Sequence, residues 1–460
     1  GVLITDPDGQ IRWPTDKGFY HSDTRVVSSW LVFADGEPWQ LLNSGNIAYY
    51  ANRIFLTNPS IHTEIGEIPE HTLGLSISRS IGGGVHEDID LINHGMDKVQ
   101  FNLEIAVRSD FADIFEVKSG SIVRRGRITS AWSQDAARLT IAYVNKDFER
   151  RVTVTAHKSD SKPVYANGRI SFELELEPGE AWHSCLLYAV GDGETLDHAP
   201  DHCIAQTGGA GARRNLGQWQ DTSLKIETSN EEFYRFYHQS LEDMAALRLP
   251  IEGTDHLEFV PAAGVPWFLA LFGRDSLTVS LQNAMVHPGF ARGALEVLSR
   301  HQAQSRDDYR DAEPGKIMHE LRRGELAHFK LIPHTPYYGT ADATILYLIV
   351  LHNVWRCTGD PDLLARYMPV AEKCLTWIDK YGDRDGDGFQ EYQTRSKAGA
   401  YNQGWKDSGL ALVNTDGSIV KTPIALVEIQ GYVYDAWLRM AQIYEALGKS
   451  APAQTLREKA

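Results

Sequence analysis

Cysteine is scarce in this chain of 460 residues: there are four, Cys185, Cys203, Cys357 and Cys374, and no two stand in a Cys-x-x-Cys spacing. That scatter excludes a zinc or iron–sulfur site readable from the sequence and offers no disulfide framework, so no metal, no cofactor and a reducing, cytoplasmic setting are expected. Positive charge is also short. The 45 Lys and Arg face 61 Asp and Glu, for a formal net charge of −16. A phosphate backbone is held by clustered Lys and Arg, so nucleic acid is not an expected partner. Long apolar runs are missing as well. The densest, Ile345 to Leu351, falls far short of the roughly 20 residues a membrane helix requires, and no membrane partner is expected. What is present is an ordinary globular composition, 42% hydrophobic and 23% charged, in a chain long enough for two or three cores. Aromatic residues are plentiful, with 11 Trp and 19 Tyr. Such rings stack on the apolar faces of sugars, although most serve in cores.

The hydrophobic period changes along the chain. Up to about Val190 it is two. Val99, Phe101, Leu103, Ile105 and Val107 alternate with polar residues, as do Ile170, Phe172, Leu174 and Leu176 before Pro178-Gly179. Alternation broken by Gly, Asn and Asp turns predicts half-buried antiparallel strands, and many short ones predict a β-sandwich. Gly208-Gly209-Ala210-Gly211 ends the pattern. We therefore expect a sandwich domain over 1–210, a linker over 211–230 and a helical domain over 231–460.

Beyond the linker the period is helical. Ser229-Asn230-Glu231-Glu232 carries a capping-box pattern, and Phe233, Phe236, Tyr237, Leu241 and Met244 mark one stripe. Further helices are expected over Asp275–Met285, Pro288–Gln302, Thr340–Cys357, Pro361–Lys380 and Ile424–Leu447, with another beginning near Pro452. Long helices joined by long loops, several apolar on more than one face, fit an α/α toroid better than a four-helix bundle.

Four loops hold the unusual residues. In the first, Trp267 and Phe268 precede Phe272-Gly273-Arg274-Asp275-Ser276. Arg274 and Asp275 read either as a polar pair for a ligand or as a helix N-terminal cap with its paired Arg. The second, Pro314 to Glu325, includes His319, Glu320 and Arg322, groups able to hold hydroxyls and carboxylates, while Arg323 and Glu325 read as solvated charges. The third, His334 to Asp342, includes Tyr338. Thr340 or Gly339 caps the next helix there, which leaves Asp342 in its first turn. The fourth, Tyr401-Asn402-Gln403-Gly404-Trp405-Lys406-Asp407-Ser408, is the sharpest. An indole wall at Trp405 removes water from the Asp407 carboxyl and raises its pKa, the Lys406 ammonium lowers it, and a balance near working pH makes a general acid. Asp383-x-Asp385-x-Asp387-Gly388 opens like a calcium loop, but its twelfth position is Thr394 instead of a bidentate Glu, so a tight turn between helices is expected.

Taken together, these segments resemble the glycogen-debranching superfamily, in particular the bacterial amylo-α-1,6-glucosidase-like family. The matching pieces are Gly18-Phe19-Tyr20-His21-Ser22-Asp23-Thr24-Arg25, Phe272 to Ser276, Pro314-Gly315-Lys316 with His319-Glu320, Tyr338 to Thr344, Asp385 to Gly388, Asn402 to Ser408, and Pro423-Ile424-Ala425-Leu426 with Gln430-Gly431-Tyr432. The resemblance implies a β-sandwich followed by an (α/α)6 toroid and an inverting glycosidase mechanism with Asp407 as the acid. It also implies that Arg274 and Asp275 grip the sugar of the −1 subsite. Trp267, His319, Glu320, Arg322, Tyr338, Asp342, Gln403, Trp405, Lys406 and Glu428 are the further residues expected against an oligosaccharide or glycoside substrate.

Such a toroid has twelve helices, about seven of which precede Ala460. Only the first half to two-thirds of it is expected here. The general base is then expected beyond residue 460, in a missing C-terminal part or a second chain, with a homo-oligomer possible. An open half-toroid should expose the apolar faces of helices such as Thr340–Cys357. Two other readings stay open: another exo-sugar such as an α-L-rhamnoside, or a carbohydrate-binding protein without catalysis.

Overall fold

The alternation at Val99 to Val107 is realised as a strand, Val99–Arg108, whose odd-numbered residues are all buried. It pairs antiparallel with Arg169–Leu176 in the register Val99↔Leu176 to Ile105↔Ile170, so the two apolar stripes share one face. The computed structural model describes residues 1–63, 66–193, 195–200, 203, 210–251 and 259–460. It divides into two units, Gly1–Trp219 and Gln220–Ala460.

The first unit is an antiparallel β-sandwich. One layer has five strands in the order Val164–Ala166, Arg169–Leu176, Val99–Arg108, Ser29–Ala34, Glu37–Pro38. The other runs Arg127–Ser133, Arg138–Asn145, Phe148–His157, Ala181–Asp192, Val85–Asn93, Leu73–Ile81, Ala51–Thr57, Gln40–Ala48, with Thr195–Asp197 beside Ala181–Asp192. The inner faces meet through rings: Trp30 lies 4.0 Å from Tyr188, and Phe172 lies 5.0 Å from Trp182. Pairs of this kind add about 0.5–1.5 kcal/mol beyond the area they bury. Arg79 sits over the Trp30 ring at 4.2 Å and is neutralised by Glu87 at 2.7 Å, which lets a charged group stay in the core.

Gly208 and Gly209 of the expected boundary lie outside the described residues. The segment read as a linker holds a helix, Ala210–Thr222, whose Leu216 and Trp219 are buried; these apolar anchors outweigh its polar remainder.

The second unit is helical. Its principal helices are Glu231–Ala246, Gly273–Gln282, Gly289–Arg300, Ala343–Thr358, Pro361–Trp377, Val427–Ala446 and Ser450–Lys459. At its centre is Ala343–Thr358, touched by Gly273–Gln282, Gly289–Arg300, Pro361–Trp377 and Val427–Ala446. Every residue from Ala343 to His352 is buried. The expected apolar exposure of this helix is therefore not found, because four neighbouring helices pack against it. The predicted stripe on Glu231–Ala246 fares differently. Asn230 caps the helix by accepting from Phe233 N at 3.0 Å, but Phe233 and Phe236 are 52% and 69% exposed and only Leu241 and Ala245 are buried. Other boundaries shift modestly. Ile424–Ala425 is a short strand paired with Glu391–Tyr392, so the helix starts at Val427, and Pro361–Trp377 continues into a π-turn over Ile378–Gly382.

Candidate functional site

The loop ends before the helices are drawn together by close backbone approaches. Leu271-Phe272 pairs with Glu320-Leu321, and Gly273 N donates to His319 O at 2.8 Å. A Cβ at Gly273 would stand 2.0 Å from Met318 O, so only glycine lets the two loops close here. Tyr337 N donates to Glu320 O at 2.9 Å, and Ala341 N to Gln403 O at 2.8 Å. Four loops distant in sequence thus share one hydrogen-bonded frame.

Arg274 is the hub of that frame. Its Nε stands 2.6 Å from Asp342 Oδ2, its Nη1 stands 3.6 Å from Asp407 Oδ2, and Nη1 also donates to Trp405 O at 3.3 Å. Neither carboxylate behaves as a helix cap. Asp342 occupies the N-cap position of Ala343–Thr358, not the first turn, and makes no cap bond; its carboxylate instead accepts from Thr340 Oγ1 at 2.5 Å. Asp275 lies in the first turn of Gly273–Gln282, where Phe272 is the N-cap residue and no side chain caps. Burial raises the Asp275 pKa, Arg274 opposes this, and the charges of Asp342 and Asp407 add to it. Burial likewise raises that of Asp342 against the pull of Arg274. Three carboxylates around one guanidinium leave a negative excess suited to accepting hydroxyl hydrogens.

Gln403 supplies a second signal. It is 1% exposed, yet neither its Oε1 nor its Nε2 has a hydrogen-bond partner among the described residues. An amide left unbonded in a protein interior costs about 1–3 kcal/mol, so both ends of this one call for a partner from outside the chain, a water or a ligand's polar atom. Next to it, Trp405 N donates to Glu428 Oε1 at 2.9 Å, which ties the loop to the start of Val427–Ala446. A Cβ on Gly404 would meet Leu426 at 2.3 Å and Glu428 Oε1 at 2.8 Å.

The wall expected at Trp405 is absent. Trp405 is 57% exposed and the Asp407 side chain 56%, and Lys406 is exposed too. The strip 405–410 stands out into solvent.

Other expected residues hold the frame. Glu320 is buried with one carboxylate oxygen on Arg322 Nε and the other 3.3 Å from His334 Nε2. Arg322 also donates to Trp267 O at 2.8 Å and lies over the Phe272 ring. The Tyr338 hydroxyl donates to His301 O at 2.7 Å and is therefore committed to the fold. Glu325, read as a solvated charge, is 3% exposed, because the short helix Glu325–His328 turns its first three residues inward; Arg323 is exposed. At the Asp383 turn, Gly386 N and Gly388 N donate to the Asp383 carboxylate, the pattern of a tight Asx turn.

One organising residue has no signature in the motifs. Asp311, 1% exposed, accepts from Tyr337 Oη and Thr394 Oγ1 at 2.9 Å and from Arg395 N and Ser396 N at 2.6 and 3.1 Å. Its partners are separated from it by up to 85 positions, and only a hydrogen-bond map reveals it.

His319 is 9% exposed, edge-on to Phe272 at 5.7 Å. Burial, then the Arg274 charge, lower its pKa from 6.5 to about 3, so the ring is neutral at pH 7. Its effect on stability is absent above the unfolded value of 6.5. Below that pH the unfolded chain takes up a proton that the folded chain refuses, and stability falls by up to about 1.4 kcal/mol per pH unit until the folded value is reached. His319→Gln should therefore flatten the loss of stability between pH 6.5 and 4, read as urea midpoints across pH. Parallel wild-type and variant curves would contradict this.

Residues 1–187 match the family described as the N-terminal domain of (some) glycogen debranching enzymes. Among curated proteins, none matches the sequence. The chain shares its fold with a protein described as a putative kojibiose phosphorylase from the human microbiome, at 11% identity and a TM-score of 0.57, over 95% of this chain and 60% of that one. It thus spans about three-fifths of that protein's length. More distant likenesses, which bear no weight on the fold, are a rhamnosidase from Klebsiella oxytoca (10% identity, 92% of this chain and 70% of that one, TM-score 0.33) and a family 76 glycoside hydrolase from a bovine Bacteroides thetaiotaomicron strain (6% identity, 72% and 76%, TM-score 0.28).

Proposed function

From an N-terminal domain that matches those of glycogen debranching enzymes, we propose that the chain is the acid-bearing part of a glycoside hydrolase that cleaves a terminal α-glucosidic bond of an oligosaccharide or branched glucan. The observation that carries the reading is the Arg274 hub, which sets the exposed Asp407 beside the buried Asp342 with the unbonded Gln403 amide in the same loop.

The sugar of the −1 subsite lies over Arg274 and Asp275, donating hydroxyl hydrogens to Asp342 and Asp275 and using both ends of the Gln403 amide. A bound ring covers Asp407 and shuts water away from it. Asp407 then gives its proton to the glycosidic oxygen as the bond breaks. Water enters from the opposite face, activated by a second carboxylate roughly 6.5–9.5 Å from the acid, which inverts the anomeric centre. That carboxylate faces the sugar from the side opposite Asp407.

The test is a panel of aryl α-glucosides, α-L-rhamnosides and α-1,6-linked oligosaccharides on the full-length natural product, with and without phosphate. Hydrolysis of α-glucosides with inversion supports the reading. Turnover that requires phosphate, preference for rhamnosides, or saturable binding with no turnover would each replace it with a neighbouring one. No binding of any of these sugars would refute it.

A further inference from the structure

The strand Val85–Asn93 carries His86 and Asp88 two residues apart, so the period of a β-strand places both on one face. Its antiparallel partner Ala181–Asp192 sets Cys185 directly across from Asp88. Cys203 comes to the same spot from beyond Pro200. The four side chains offer a nitrogen, a carboxylate oxygen and two sulfurs that all lie within 4.8 Å of one another. All four residues are almost wholly buried, at 0%, 1%, 0% and 2% exposure. The individual edges are His86 Nε2 to Asp88 Oδ1 at 3.0 Å, Cys185 Sγ to Asp88 Oδ1 at 3.4 Å, and Cys185 Sγ to Cys203 Sγ at 3.4 Å.

We propose that His86, Asp88, Cys185 and Cys203 bind a structural zinc ion. Ligand atoms about 2.0–2.3 Å from a tetrahedral centre stand roughly 3.3–3.8 Å from each other, close to these three edges. The sulfur–sulfur separation is far longer than the roughly 2.05 Å of a disulfide. A set of two sulfurs, one imidazole and one carboxylate selects a borderline-soft ion such as Zn²⁺ over Ca²⁺ or Mg²⁺.

The surroundings are built as outer partners of a metal site are. His86 Nδ1 meets Pro200 O at 2.5 Å, which places the proton on Nδ1 and leaves Nε2 free to ligate. His183 Nε2 stands 3.2 Å from Cys185 Sγ while its Nδ1 pairs with Asp90 at 2.7 Å, so the ring is oriented to donate to a thiolate sulfur. On binding, each thiol gives its proton to solvent as its sulfur forms the bond to zinc, and the ion offsets a carboxylate that is otherwise buried beside two thiols. The site would fasten the chain at Cys203 onto the sandwich. Gly84 N donating to His198 O at 3.0 Å and His86 bonded to Pro200 already guide it along the same path.

The experiment uses the full chain, purified under reducing conditions, supplied with Zn²⁺ and desalted before elemental analysis. One zinc per chain is expected, released when a mercurial blocks the thiols. Replacing zinc with Co²⁺ should give tetrahedral d–d bands and a thiolate-to-cobalt charge-transfer band that is halved in Cys203→Ser. Asp88→Asn should weaken zinc at least about tenfold. Should either variant fail to fold, the wild-type cobalt spectrum decides alone. A metal-free protein after this loading, or a Cys185–Cys203 disulfide seen as a two-hydrogen mass deficit, would overturn the site.

Discussion

Asp407→Asn is expected to lower turnover on a glycoside with a poor leaving group by roughly 10²–10⁴-fold, the usual effect of losing a general acid. The change is nearly isosteric and falls on a side chain 56% exposed, so folding should be untouched. Asparagine retains an oxygen for the Arg274 guanidinium 3.6 Å away, and the closer Arg274–Asp342 pair at 2.6 Å remains. Substrate binding should therefore persist while the proton is missing. An activated aryl glycoside, whose departing phenolate needs little protonation, should lose much less. The pair of kcat values on the two substrate types separates a lost acid from a general loss of structure. Full activity of Asp407→Asn on a natural disaccharide would remove the assignment, and equal losses on both substrates would make Asp407 a binding group instead.

Arg274→Ala should cost about 3–5 kcal/mol of stability and most of the activity, because it strands a buried charge. Asp342 is 1% exposed, and the Thr340 hydroxyl is then left to hold its carboxylate. Without the guanidinium its burial dominates, and the carboxyl either stays ionised at high cost or takes a proton. Arg274→Lys should not restore the site, since a single ammonium cannot reach Asp342, Asp407 and Trp405 O with a fork of donors. The informative comparison is Arg274→Ala, Asp342→Asn and the double variant in denaturant titrations. The double variant should be more stable than the sum of the singles implies, because removing the second charge repairs what removing the first exposed. Additivity within about 0.3–0.5 kcal/mol would mean that the two side chains do not depend on each other. Measured kcat/KM should fall in all three.

Much of this was legible in the order of residues. The alternation at Val99 to Val107 predicts a strand with one buried face, because side chains on a strand point alternately to either side whatever surrounds it. The capping-box pattern Ser229-Asn230-Glu231-Glu232 predicts a helix start for a similarly local reason, although the side chain that reaches an amide three residues on is that of Asn230 instead of Ser229. The motif around Arg274 and Asp407 likewise singles out the loops that come together.

Other features are not properties of any local stretch. Asp342 looks like a first-turn acid, and its commitment to Arg274 exists only because a loop 68 positions earlier in sequence (342 against 274) folds back onto it. Glu325 and Phe233 exchange their expected places, one buried and one exposed, since exposure depends on what packs nearby. Asp311 gathers amides and hydroxyls from Tyr337, Thr394, Arg395 and Ser396, with no motif to announce it. The two cysteines that carry no spacing signature are the sharpest instance. Cys185 meets Asp88 through strand register, and Cys203 arrives by the path of the chain. Sequence alone determined most of where the backbone is strand or helix and marked the loops that meet, because periodicity, capping and turn residues act over a few positions. Tertiary structure decided which side chains share a site, which charges are buried, and where sulfurs and carboxylates converge, because those are set by contacts between segments far apart in the chain.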